Sequence, residues 1–149
     1  MSKADRLLMI MVFVCMFAFS GAAGVVQARA AEPHLQGIVN CDIQQNPCKQ
    51  KLADTTVVLD INPKPVRAMT DLEFTITLSG KQPVKPPYID LGMPGMKMGP
   101  NRVSLKPAGK DVFEGTGVIV RCPSGKRVWK AVVTLPDMGS VEFVFDVVY

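Results

Sequence analysis

The segment Asp90-Leu91-Gly92-Met93-Pro94-Gly95-Met96-Lys97-Met98-Gly99-Pro100 places three thioethers within six residues. A thioether is a neutral, soft, polarisable donor, so a cluster of them favours Cu(I) over the harder divalent ions. It binds without losing a proton, and its affinity holds at mildly acidic pH, where histidine and thiolate ligands weaken. Pro94, Gly95, Gly99 and Pro100 exclude a long regular strand, which makes the segment a loop. In an extended stretch Met96 and Met98 project to one side, and the Pro94-Gly95 turn brings Met93 round to them. The expected metal site is therefore Met93, Met96 and Met98, with Cu(I) as its ion. Cys122 and Met138 are possible additional ligands, as are Met69 and His34, although nothing local ties any of them to the loop. Methionine is also an adaptable core filler, and flexible Met-rich patches suit apolar partners. A core plug and a docking surface thus stand beside the copper reading.

Other chemistry has little to draw on. The one histidine, His34, lies near the expected start of the mature chain, an unpromising place for a Ser-His-Asp or Cys-His arrangement. No G-x-S-x-G, H-E-x-x-H, Walker or dinucleotide glycine motif occurs. Gly115-Thr116-Gly117 falls inside a strand pattern, so it is not a phosphate cradle. The acidic residues are isolated, whereas calcium and magnesium need several converging oxygens. An enzyme is not expected. The formal charge of +4 comes from 17 basic and 13 acidic residues. It is too small and too evenly spread along the chain to argue for a nucleic-acid partner.

The compartment follows from the N-terminus. Lys3 and Arg6 precede an apolar run from Leu7 to Phe19, and small residues lead to Ala28-Arg29-Ala30, an A-x-A site. This is the pattern of a signal peptide over residues 1–30, so the chain is expected to be exported and periplasmic. The rival reading keeps residues 7–26 as an uncut inner-membrane anchor, in which case the protein touches the membrane there. Cys15 sits in the apolar run without a lipoprotein pattern. Export permits disulfides, and three cysteines remain: Cys41, Cys48 and Cys122. The short polar loop between Cys41 and Cys48 can close as a staple, and this pair is the expected disulfide. Cys122 is then a buried thiol or a soft ligand, or else the true partner of one of the other two. Spacing does not choose.

Beyond an N-terminal arm over residues 31–54, the sequence breaks into short β-rich runs: Thr55–Ile61, Leu72–Leu78, Tyr88–Leu91, Arg102–Lys106, Val112–Arg121, Arg127–Leu135 and Val141–Tyr149. Leu72, Phe74, Ile76 and Leu78 alternate with polar residues, the period of a half-buried strand. Gly115 and Gly117 imply a bulge or a close approach by a neighbouring backbone. Seven runs without a helical period predict an all-β fold, a seven-stranded antiparallel immunoglobulin-like sandwich over residues 55–149. Trp129 is placed in its core.

Ile89 to Asn101 with its three methionines, the glycine-bearing strand Phe113–Gly117, the Gly125-Lys126-Arg127-Val128-Trp129 segment and a Val/Phe-rich last strand together resemble the YtkA-like domain family. The resemblance covers Thr55 to Tyr149, and the matching positions are Met93, Met96, Met98 and Trp129. It implies an immunoglobulin-type sandwich outside the bacterial cytoplasmic membrane, in families linked to copper handling or to assembling membrane oxidases. Periplasmic copper chaperones add histidines to their methionines, and this chain has none in the matched region, which leaves Cu(I). The resulting expectation is a non-catalytic domain that binds or transfers Cu(I), with a copper-donor or copper-acceptor protein of the cell envelope as partner. The alternative is an envelope structural or protein-interaction module without metal.

Overall fold

The structure, a computed structural model, describes residues 38–149. The expected signal segment, Cys15 and His34 lie outside the described residues. Nine strands follow one another: β1 (Cys48–Leu52), β2 (Thr55–Asn62), β3 (Asp71–Ser79), β4 (Tyr88–Gly92), β5 (Arg102–Ser104), β6 (Lys106–Gly109), β7 (Val112–Val118), β8 (Val128–Leu135) and β9 (Gly139–Asp146). They form a five-stranded sheet, β1-β2-β3-β7-β6, and a four-stranded sheet, β5-β4-β8-β9, with every ladder antiparallel. The all-β, two-sheet expectation holds. Two strands were not anticipated. β1 belongs to the expected arm but pairs with β2 from Cys48↔Leu59 to Leu52↔Thr55, so the sandwich starts before residue 55. The run expected over Arg102–Lys106 is two strands, because the chain crosses from one sheet to the other at the buried Leu105.

Strict alternation builds the core. β2 buries Val57, Leu59 and Ile61, and β3 buries Leu72, Phe74, Ile76 and Leu78. From the other sheet come Ile89, Leu91, Val103, Trp129, Ala131, Val133, Leu135, Phe143 and Phe145. Fully burying side chains of this kind stabilises by about 1.5–3 kcal/mol each before entropy is counted. Every buried hydrophobic residue among those described lies between Cys41 and Val147. A chain beginning at Ala31 therefore holds all the parts from which the sandwich is built.

The two sides of the sandwich are closed differently. On the β5–β7 side, a Cβ built on Gly115 would stand 2.4 Å from the Ser104 carbonyl oxygen, and one on Gly117 would stand 2.5 Å from Val103 Cγ2. Of the two sequence expectations for these glycines, close approach is the one realised: the β3–β7 ladder runs through both in register. The bulge lies instead in β6, between Pro107 and Gly109.

On the other side, Cys41 and Cys48 form a disulfide, and the loop it closes covers the free edge of β9. Asn40 donates its backbone N–H to Val144 O (3.0 Å), accepts from Val144 N through Oδ1 (2.8 Å) and donates Nδ2 to Glu142 O (3.1 Å). Gln44 accepts from Val66 N (2.8 Å) and donates to Asp146 O (2.8 Å). These amides do for β9 what a neighbouring strand would do, and an edge so occupied no longer templates pairing with another chain.

Candidate functional site

β4 runs antiparallel to β8 with Gly92 opposite Lys130 and Tyr88 opposite Thr134. Residues 93–101, which follow β4, therefore sit at the end of the sandwich where β8 begins. Two further connections meet there. Met69 N donates to Ile119 O (2.8 Å), and Asn101 Nδ2 donates to Val118 O (3.0 Å), which holds residues 63–70 and 93–101 against the chain where β7 ends and residues 119–127 begin. The last residues close the same end: Ala68 N donates to Val148 O and Val148 N to Val66 O, both at 2.9 Å.

This end gathers Met69, Met93, Met96 and Met98, four of the five methionines among the described residues, together with Cys122. Met138 is not among them. It sits in the β8–β9 turn, where its N–H donates to Leu135 O (3.0 Å), and β8 separates it from the loops by roughly 25 Å. The sequence offered Met138 as an additional ligand; the antiparallel register places it at the wrong end.

The methionine loop opens on a turn in which Met96 N donates to Met93 O (3.2 Å) and Gly95 takes φ 70°. Proline followed by a positive-φ glycine is the type II turn signature. The turn is as read from the sequence, but the side chains do not share one direction. Met93 is 2% exposed and belongs to the core, Met98 is half-buried against it, and Met96 is 40% exposed. Met93 thus takes the core-plug role, which corrects the expectation of three outward thioethers. Met69 is held out instead: its backbone is pinned to Ile119 at φ 62° while its side chain is 66% exposed.

Cys122 is unpaired and buried. Its Sγ lies 3.0 Å from Ser124 Oγ. The Ser124 hydroxyl, with the Ser124 backbone and Lys126 assisting, holds the thiol below its usual range. Beside this thiol, the Cys122 backbone is held by Tyr149, a residue the sequence reading did not single out. Its hydroxyl donates to Lys126 O and accepts from Cys122 N (3.2 Å) and Trp129 Nε1 (3.4 Å). Trp129 is fully buried in the core, as expected. Removing the hydroxyl would leave two donors on buried residues, Cys122 N and Trp129 Nε1, without this partner. Tyr149→Phe is expected to cost about 1–3 kcal/mol in urea unfolding and to speed labelling of Cys122 in the native state.

Elsewhere, an open groove of about 700 Å³ lies along β5, β6 and β7, lined by Glu73, Glu114, Arg102 and Lys106 among others, and by no sulfur. Among the described residues, no group of three or more His, Cys, Asp or Glu side chains is placed to hold a metal ion. Comparison with protein-family models, with curated proteins and with solved structures finds no match.

Proposed function

We propose that the chain is an exported, non-catalytic binding domain that captures Cu(I) at its loop end for transfer to or from an envelope partner. The observation that carries this reading is the meeting of two separate loops, residues 63–70 and 93–101, that bring Met69, Met96 and Met98 to one end of the scaffold. Soft thioethers select a soft monovalent ion. The resemblance to the YtkA-like domain, with its immunoglobulin-type sandwich, points the same way. Met93 and Met138 are left out, the first because it is core and the second because it is distant. Cys122 is left out because its sulfur is buried and engaged by the Ser124 hydroxyl. Exposed cations at this end repel a bare cation, so the affinity is weak and suits transfer rather than storage.

The test is anaerobic Cu(I) titration against a competing chelator, using the chain from Ala31. Met69→Leu/Met96→Leu/Met98→Leu is expected to lose affinity by about tenfold or more, which is about 1.4 kcal/mol or more. Met93→Leu, Met138→Leu and Cys122→Ser should bind as the parent does. Indistinguishable binding by the triple variant removes the copper reading. A second reading, an envelope structural or interaction module without metal, draws on the burial of Met93, and that result would leave it standing.

A further inference from the structure

Charge that looks evenly spread along the sequence is distributed unevenly between the connecting segments at the two ends of the sandwich. The three connections at the loop end carry Lys64, Arg67, Lys97, Arg121, Lys126 and Arg127 and no Asp or Glu, and the exposed Asp71, first residue of β3 and opposite Val118, borders them. Lys64 is paired with Asp60 and Arg127 with Asp146, both strand residues. Arg67, Lys97, Arg121 and Lys126 are exposed and make no ion pair among the described residues. At the opposite end, residues 53–54, 80–87, 110–111 and 136–138 balance Asp54, Asp111 and Asp137 against Lys81, Lys85 and Lys110.

Apolar exposure coincides with the unpaired cations. Met69 (66%), Val120 (41%) and Met96 (40%) are three of the five exposed large hydrophobic residues among those described, and all three are on this end. They come singly from three different loops, and each lies within two residues of a cation: Arg67, Lys97 and Arg121.

We infer that the loop end docks on an anionic phospholipid bilayer, with Met69, Met96 and Val120 entering the headgroup boundary and Arg67, Lys97, Arg121 and Lys126 meeting lipid phosphates. Interfacial binding needs apolar side chains that reach the acyl boundary and cations that stay at the headgroups. Each basic residue near an anionic leaflet contributes roughly fivefold in affinity. An acidic protein would satisfy the cations, but a protein interface gathers its apolar side chains into one central patch, whereas these are single residues on separate loops. The surface shares Met69 and Met96 with the proposed copper site, but none of the four cations is a ligand, so the charge-reversal arm of the test is independent of copper. The inference stands apart from residues 7–26, because the surface belongs to the sandwich itself.

The test is co-sedimentation of the metal-free chain from Ala31 with phosphatidylcholine vesicles, with and without phosphatidylglycerol. Binding is expected only to the anionic vesicles and should fall as salt is added. Arg67→Glu/Arg121→Glu/Lys126→Glu should weaken it by about a hundredfold. Met69→Ser/Met96→Ser/Val120→Ser should weaken it severalfold while leaving the salt dependence in place. Lys81→Glu/Lys85→Glu, at the other end, should bind as the parent does. Thermal unfolding of each variant verifies that these exposed substitutions leave the fold intact. The proposal is overturned by the absence of binding to anionic vesicles, by equal binding of the charge-reversed chain, or by tighter binding to soluble polyglutamate than to vesicles. The last result would assign the surface to an acidic protein. Copper titration on the charge-reversed chain keeps the two readings separate, because its thioethers are intact.

Discussion

Gly115→Ala is expected to destabilise the protein by about 3 kcal/mol, the largest single-residue effect argued for this fold. The added methyl would meet Ser104 O at 2.4 Å, Leu105 Cδ2 at 3.0 Å and Val103 Cγ1 at 3.1 Å. The first of these is backbone, at the point where the chain leaves one sheet for the other, so it cannot rotate away. Relief requires β5 to move off β7, which opens the core around Val103. Gly117→Ala should cost less, since its nearest neighbour is the Val103 side chain. Gly99→Ala is the control: nothing lies within 4 Å of its Cβ position, and its effect should stay within about 0.5 kcal/mol. Urea unfolding followed by Trp129 fluorescence measures all three. Equal midpoints for Gly115→Ala and Gly99→Ala would mean that the closely packed β5–β7 side does not limit stability.

Opening the Cys41–Cys48 bridge is the second large effect. Cross-linking a loop of this length removes enough unfolded-state entropy to stabilise by about 2.5 kcal/mol. The bridge also fixes Asn40 and Gln44 along β9, so its loss should free the backbone of Glu142, Val144 and Asp146 to pair with another chain. The expected result for Cys41→Ala/Cys48→Ala is a lower urea midpoint together with concentration-dependent light scattering. Adding reductant to the parent should reproduce both effects and should not alter the double variant further. An unchanged midpoint would show that the arm holds its place without the bridge.

What the sequence disclosed follows from where periodicity operates. β2, β3 and β8 alternate through seven or more residues, and their buried faces are those that the alternation marks. β1 escaped notice because Cys48-Lys49-Gln50-Lys51-Leu52 is short and polar; it is a strand only because β2 offers an edge and the disulfide delivers it there. β6 read as a stop because Pro107 and Gly109 weaken a strand, yet proline is tolerated at a sheet edge, and β6 is an edge. At the candidate site, the Pro94-Gly95 turn was legible, since turn chemistry is local. The inward direction of Met93 was not, because an irregular segment has no period to tell one face from another. Neither was the cationic end: its residues lie on three loops far apart in the chain, and only the strand order brings them together. Tyr149 was missed for the same reason, since all three partners of its hydroxyl lie 20 or more residues away.

X-ray absorption at the copper edge on the Cu(I)-loaded chain from Ala31 tests the role of the loop end most directly. Capture by Met69, Met96 and Met98 requires a shell of sulfur scatterers at about 2.3 Å. That shell should be lost from Met69→Leu/Met96→Leu/Met98→Leu and kept in Met93→Leu. A shell of nitrogen or oxygen, or a sulfur shell that survives the triple substitution, would contradict it.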